Sequence, residues 1–138
     1  MKSVPKNRLV DPAVFDLNDE TDMVADLIRP HFNDSGEWLL MLCFAGDGRL
    51  LAASEHGGEQ KNSAVLTPAM VRTAVSARDG TSVLLAHNHP SGDLRPSPDD
   101  IQLTRQFAAL CRMAGLVLTD HLILSSSGHF SFRAAGLV

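Results

Sequence analysis

The stretch from residue 83 to residue 100 constrains the fold of this chain more than any other. It opens with the apolar run VLLA at residues 83–86, which is typical of a buried strand. It ends with SPDD at residues 97–100, where a serine N-cap followed by proline predicts the start of a helix. Between the two lie His87 and His89. Because successive side chains of an extended strand point to opposite faces, these histidines are expected to project to the same side.

Two histidines on one side of a strand end can converge on a metal ion, and Asp100 is the candidate third ligand. Three protein ligands and a water are typical of a catalytic zinc site, whereas a structural site closes with four ligands and usually uses cysteine. Each half of the pattern also has a simpler reading. Ser97 and Asp100 alone make an ordinary capping box, and an isolated His-x-His is more often structural than metal-binding. The combination of the two halves favours a metal site in one cleft.

The composition fits one globular domain. The 138 residues suit a single core, and 44% apolar with 20% charged residues is ordinary for a globular protein. The net charge of −4, without a basic run, argues against nucleic-acid binding but leaves room for a local patch. No apolar run approaches the length of a membrane span, and the polar N-terminus predicts a cytoplasmic protein. Cys43 and Cys111 lie in apolar segments and are expected to be reduced and buried.

Hydrophobic periodicity predicts an α/β order of elements. Between residues 12 and 32 the periodicity predicts one helix or two short ones. We expect further helices over residues 67–77 and 98–114, and strands over 38–44, 49–54, 82–86, 116–124 and 129–132. Arg29-Pro30 should end the first helix, and residues 31–37 should form a loop. Residues 55–63 are polar and glycine-rich and are expected to be irregular and exposed. We divide the chain into an N-terminal lead-in and helix, residues 1–36, and a single α/β domain, residues 37–138.

The motif H-N-H-P-x(6)-S-x-x-D, carried by residues 87–100, resembles the JAMM motif of the MPN metallopeptidases. H-N-H-P-S-G-D, together with the later T-D-H-L-I-L, resembles the bacterial RadC-like branch of that family. The resemblance implies a JAB/MPN-like domain, a mixed β-sheet flanked by helices in a cytidine-deaminase-like layering. It also implies Zn²⁺ bound by His87, His89 and Asp100, with Ser97 supporting the oxyanion and an upstream glutamate acting through the metal-bound water. The implied reaction is hydrolysis of a peptide or isopeptide amide.

Two glutamates are candidates for the general base. Glu55 follows the predicted strand 49–54 directly, so its backbone should be anchored, whereas Glu59 lies in a flexible glycine-containing stretch. We therefore favour Glu55. The last candidate is His121, which is a histidine hydrogen-bonded inside the sheet at the core edge, a direct metal ligand, or a residue that orients a metal ligand. A different class of function is also open, because RadC-like proteins are commonly labelled repair proteins: a non-catalytic interaction module associated with DNA repair or mobile elements.

Overall fold

The computed structural model describes residues 2–3, 21–32, 36–58, 72, 79–126 and 128–138. Its helices are α1 (Thr21–Ile28), followed by a 3₁₀ turn (Arg29–His31), and α2 (Pro98–Met113). Its strands are β1 (Lys2–Ser3), β2 (Glu37–Ala45), β3 (Leu50–Gly58), β4 (Gly80–Asn88), β5 (Val117–Ser125) and β6 (Gly128–Ser131). The strands form one sheet in the order β1-β3-β2-β4-β5-β6. Neighbouring strands within the sheet are antiparallel, except β4 and β5, which are parallel.

The predicted hairpin between residues 38 and 54 is confirmed as β2 and β3. The turn closes with hydrogen bonds from the Ala45 amide to the Arg49 carbonyl, 2.9 Å, and from the Gly48 amide to the Ala45 carbonyl, 3.0 Å. Gly48 has a φ of 88°, a conformation that other L-residues rarely adopt. A glycine at this position therefore lets the chain reverse within a short turn.

The predicted strand–helix–strand order around the histidine motif is confirmed as β4, α2 and β5. A parallel strand pair needs a crossover connection, and α2 supplies it. The crossover brings the carboxyl end of β4, where the histidines lie, close to the amino end of α2, which begins directly after Ser97.

Each face of the sheet carries its own apolar core, because alternate residues of the central strands point to opposite sides. The first core joins α1 to one face, and the second joins α2 to the other. The first core contains Val24, Ala25, Ile28, Leu40, Leu42, Phe44, Leu84 and Ala86 among others. The second contains Met41, Cys43, Val83, Leu85, Leu103, Phe107 and Cys111 among others, so both cysteines are buried as expected.

Two predicted irregular segments are partly regular. The expected loop over residues 31–37 ends earlier, because Glu37 is already the first residue of β2. The expected irregular segment from residue 55 begins later, because β3 continues to Gly58 and both Glu55 and His56 are buried. The strand extends past its apolar residues because β2 offers a continuous pairing partner as far as Glu37. Residues 2–3 of the predicted lead-in form β1. The rest of residues 1–20, Glu59 and all of the predicted helix 67–77 except Arg72 lie outside the described residues.

The architecture is a single α/β domain with a mixed sheet flanked by helices, as in JAB/MPN-like folds. The helix α1 ends before Arg29-Pro30, as predicted, and shares its core with the sheet. The boundary that we place between residues 36 and 37 stays a prediction. Within the described part of the chain, no helix is both long and apolar enough to cross a bilayer.

Candidate metal centre

The two motif histidines lie at the carboxyl end of β4. His87 is the penultimate residue of the strand and His89 follows its end, so both side chains project from the face that carries the second core. The His89 amide donates to the Leu124 carbonyl of β5, 2.9 Å, which anchors its backbone. Gly92, with a φ of 85°, then turns the loop so that the Asp93 carbonyl lies 2.6 Å from His89 Nδ1.

Glu37 reaches the same point from the neighbouring strand. β2 runs antiparallel to β4, so the start of one lies beside the end of the other, and Leu39 pairs with His87. Glu37 precedes Leu39 by two residues and therefore points to the same face. Its carboxylate Oε1 lies 3.7 Å from His87 Nε2 and 3.5 Å from His89 Nε2.

Asp100 joins the group from the first turn of α2. The Asp100 amide donates to Ser97 Oγ, 3.0 Å, and the Ser97 amide donates to Asp100 Oδ2, 2.8 Å, which together form a capping box. The same carboxylate faces the histidines: Oδ1 lies 3.3 Å from His87 Nε2, and Oδ2 lies 3.3 Å from His89 Nε2. The capping box and the candidate site therefore share one side chain.

The four side chains offer one ligand atom each within 4.8 Å of one another. The two histidine Nε2 atoms are 2.9 Å apart, and the histidine-to-carboxylate distances run from 3.3 to 3.7 Å. Ligand atoms about 2.05 Å from a tetrahedral Zn²⁺ lie about 3.3 Å from one another. The spacing of these atoms therefore fits a single small divalent cation.

The protonation pattern also fits a cation. The Asp93 carbonyl can only accept, so His89 Nδ1 carries a proton and a neutral His89 turns its Nε2 lone pair toward the group. Two imidazole nitrogens and two carboxylates then converge on one point. When no cation is bound, a proton on His89 can supply the positive charge instead. Accordingly, the hydrogen bond to Asp100 raises the pKa of His89.

The two carboxylates of the group have opposite pKa shifts. Burial raises the pKa of Glu37, despite the opposing effect of the two histidines. Burial also acts to raise the pKa of Asp100, but its close contacts with His87 and His89 outweigh that effect and hold the pKa well below its usual range. Asp100 is thus an ionised ligand candidate, while Glu37 is the carboxylate that exchanges a proton more readily.

A second layer of polar side chains lies behind His87. His121, which is 0% exposed on β5, places its Nε2 2.7 Å from His87 Nδ1. His121 Nδ1 lies 2.6 Å from Thr104 Oγ1, and Phe132 stacks on its ring with centroids 4.5 Å apart. Burial lowers the pKa of His121 well below its ordinary value, so the ring is neutral. His121 therefore contacts His87, a candidate ligand, on the side of the ring opposite the carboxylates.

Glu55 is not brought to this group. It pairs with Leu40 on β2, whose side chain lies in the first core, so Glu55 points to the opposite face of the sheet from His87. There its Oε2 lies 3.0 Å from His31 Nε2. The His31 side chain is also largely buried. The geometry therefore does not favour Glu55 as the base of this site.

Glu37 is the functional candidate that sequence reasoning missed. The sequence predicts a loop at this position, because the turn-forming residues Asp34, Ser35 and Gly36 precede Glu37 directly. One signal was present: Glu37 is the polar residue immediately before an apolar strand and keeps the alternation that places Leu39, Met41 and Cys43 on one face.

Comparison with known proteins identifies similar sequences for most of the chain. The sequence model for the RadC-like JAB domain matches residues 18–137, which include all four members of the group. A UPF0758 protein of Porphyromonas gingivalis is 39% identical over 123 residues, covering 86% of this chain and 53% of that protein. A UPF0758 protein of Trichormus variabilis is 43% identical over 67 residues, 49% of this chain and 28% of that protein. The chain thus spans about half or less of the length of these curated relatives.

Proposed function

Because this chain belongs to the RadC-like JAB domain family, we propose that it is a zinc-dependent metallohydrolase that cleaves a peptide or isopeptide amide. The observation that supports the proposal most is the convergence of Glu37, His87, His89 and Asp100 at the end of β4. Structural zinc sites are usually built with cysteine, and this group contains none. Two histidines with carboxylates are instead typical of catalytic sites.

We assign His87, His89 and Asp100 as the ligands of the cation. All three belong to the segment that connects β4 to the first turn of α2, and the capping box holds Asp100 in place. When bound, a zinc ion would polarise the scissile carbonyl and lower the pKa of a coordinated water to about 7.

We assign Glu37 as the general base, in place of Glu55. Its carboxylate lies slightly farther from both histidine nitrogens than the Asp100 oxygens do, and it is more exposed. Burial raises its pKa toward the range in which a carboxylate accepts and returns protons efficiently. Glu37 would take a proton from the attacking water and deliver it to the leaving amine nitrogen.

Ser97 remains the proposed oxyanion donor. Its oxygen accepts the Asp100 amide hydrogen bond, which uses a lone pair and leaves the hydroxyl hydrogen to be donated. Ser97 is exposed at the amino end of α2, where a substrate could reach it. A donor at this position would stabilise the negative charge that develops on the carbonyl oxygen during attack.

Metal analysis tests the ligand assignment. The purified chain is expected to contain about one zinc per molecule after dialysis against buffer with trace metal. The double variant His87→Ala/His89→Ala should contain almost none. The matched control is His129→Ala, which removes a histidine on β6 and should leave the zinc content unchanged. Zinc retained by the double variant would place the ion elsewhere and overturn the proposal.

The base assignment is tested by comparing Glu37→Gln with Glu55→Gln. Hydrolysis is followed with a panel of fluorogenic linear and isopeptide-linked peptides, and zinc affinity by competition with a chelator. We expect Glu37→Gln to keep wild-type affinity within about threefold and to lose at least about 100-fold in kcat, whereas Glu55→Gln keeps both.

Two other outcomes would contradict this reading. A large loss of zinc affinity in Glu37→Gln would make Glu37 a fourth ligand and the site a closed one. If the wild-type chain cleaves no peptide of the panel and retains duplex DNA at physiological salt, the non-catalytic module is favoured instead.

A further inference from the structure

A continuous series of buried hydrogen bonds connects the α2 backbone to His87 Nδ1, the ring nitrogen that faces away from the carboxylates. Thr104 Oγ1 donates to the Asp100 carbonyl, 2.7 Å, and lies 2.6 Å from His121 Nδ1. His121 Nε2 lies 2.7 Å from His87 Nδ1. Thr104 is 1% exposed and His121 is 0% exposed, so water does not compete for these contacts.

The chemistry of the groups fixes the direction of every proton in this chain. A carbonyl oxygen only accepts, so the Thr104 hydroxyl hydrogen is committed to Asp100. Thr104 Oγ1 must then accept from His121, which places the proton of that imidazole on Nδ1. His121 Nε2 is left as an acceptor, and it takes the Nδ1 proton of His87. The Nε2 of His87 is consequently a lone pair, and it points at Asp100 Oδ1 and Glu37 Oε1.

From this geometry we infer that Thr104 and His121 are positioning residues that hold His87 in the tautomer able to bind a metal through Nε2. The inference rests on the proposed metal site and adds residues that do not contact the ion. The two motif histidines are oriented by different groups. His89 Nδ1 donates to the Asp93 carbonyl, whereas His87 Nδ1 donates to the side chain of His121. A carbonyl oxygen can only accept a hydrogen bond, whereas a hydroxyl and an imidazole can each donate or accept. The tautomer of His87 therefore depends on the proton that Thr104 donates.

The series of contacts begins and ends at Asp100. Asp100 presents its carboxylate to His87 on one side and its backbone carbonyl to Thr104, one helical turn later, on the other. The amino end of α2 therefore supplies one ligand directly and sets the proton position of another. Phe132 stacked on His121, with an interplanar angle of 11°, keeps that ring in the plane that both hydrogen bonds require.

The discriminating variants are Thr104→Val and Thr104→Ser. Valine has the shape of threonine without the hydroxyl, so His121 is free to move its proton to Nε2, which drives His87 to protonate its own Nε2. We expect zinc affinity, measured by chelator competition, to fall at least about tenfold in Thr104→Val and to stay within about threefold of wild type in Thr104→Ser. The matched control is Thr119→Val, since the Thr119 hydroxyl also donates to a strand carbonyl, that of Val83, outside the site.

The tautomers themselves are read by ¹⁵N NMR of the histidine rings in zinc-free protein. In the wild type, His87 and His121 should each carry the proton on Nδ1, and in Thr104→Val both should carry it on Nε2. A wild-type His87 protonated on Nε2 would overturn the inference, as would a Thr104→Val variant with wild-type zinc affinity. This measurement needs neither a substrate nor a bound ion, so it stands if zinc binding or hydrolysis fails.

If Thr104→Val does not fold, His121→Gln replaces it. The glutamine side-chain oxygen can accept from His87 Nδ1 without help from Thr104, so zinc affinity should remain within about tenfold of wild type. His121→Leu provides no acceptor and should bind zinc more weakly than His121→Gln. Equal affinities of the two His121 variants would contradict the positioning role.

Discussion

At the scale of single residues, a histidine buried without charge makes folding depend on pH. His56 on β3 is 3% exposed, and its Nε2 lies 2.7 Å from Ser54 Oγ. Burial lowers the pKa of His56 to about 4, whereas in an unfolded chain it is about 6.5. The unfolded chain therefore binds more protons between these two values. The contribution of His56 to the free energy of unfolding should therefore fall as the pH drops through that window and should be constant above it.

We predict that His56→Gln weakens this acid sensitivity. From about pH 7.5 to about pH 5 the His56 contribution amounts to a loss of about 2 kcal/mol, and glutamine, which can keep a hydrogen bond to Ser54, removes it. Urea unfolding at the two pH values, with a chelator present to exclude linked metal binding, measures the difference. His129→Gln should behave as wild type. An equal loss in His56→Gln and wild type would show that another group controls the response.

The residues of the candidate site were predictable from sequence to different degrees. His87, His89 and Asp100 belong to one stretch of chain, where local rules for strands and helix caps indicate their directions. Glu37 lies fifty residues before His87. It joins the site through the antiparallel pairing of β2 with β4. That pairing depends on strand order, which the alternation of side chains within one strand does not encode. The sequence favours Glu55 because it directly follows a predicted strand, but it does not indicate that Glu55 points to the face opposite His87.

At the scale of elements, the Asn88 side chain fixes the start of β2. Regular pairing between β2 and β4 reaches Leu39 and His87. Beyond that point, Asn88 Oδ1 accepts from the Trp38 amide, 2.7 Å, and Asn88 Nδ2 donates to the Gly36 carbonyl, 2.8 Å. These two bonds flank Glu37 in the sequence. The residue between the two motif histidines therefore holds the backbone on both sides of the proposed base.

We predict that Asn88→Leu separates metal binding from catalysis. Leucine has a similar shape and makes neither bond, so the start of β2 should loosen, at a cost of about 1–3 kcal/mol in stability. Zinc affinity should stay within about threefold of wild type, while kcat falls at least about tenfold. Hydrogen exchange of the Trp38 amide should accelerate, and this readout requires no substrate. Wild-type exchange at Trp38 would show that Asn88 does not secure this segment.

Most elements followed from local patterns, and the misassigned ends have a common cause. The hairpin, α2 and β5 were recognisable because glycine turns, a capping box and apolar runs mark them in the sequence. The strand ends at Glu37 and at residues 55–58 carry polar or glycine residues and resemble loops. They are strands because each is the pairing partner of the other, from Glu37 with Gly58 to Leu40 with Glu55. Such mutual support is a tertiary effect and overrides local preference.

At the scale of the whole molecule, the site belongs to one of the two cores. Phe107 of α2 lies in the second core, on the face that carries His87, whereas Phe44 of β2 lies in the first core on the opposite face. Both phenylalanines are 0% exposed. The position of α2 on the sheet determines where Asp100 lies, so packing in the second core should influence the metal site directly.

We predict that Phe107→Leu and Phe44→Leu have similar effects on stability and different effects on zinc. Each should lower the free energy of unfolding by about 1 kcal/mol, because the substitution stays apolar and changes volume modestly. Only Phe107→Leu should weaken zinc binding, by several-fold, since it lets α2 shift relative to β4. Urea unfolding and chelator competition measure the two quantities. Equal zinc affinities in the two variants would show that the capping box alone positions Asp100.

Asp100 both caps α2 and faces the histidines of the candidate site, so exchanging one atom of its side chain can separate the two roles. An asparagine at this position could still accept the Ser97 amide hydrogen and begin α2, but it would bring no negative charge to His87 and His89. A descendant with that one exchange could therefore keep the start of α2 while it lost the charge that the proposed metal site needs. One mutational step could in this way convert the proposed metalloenzyme into a scaffold retained for other purposes.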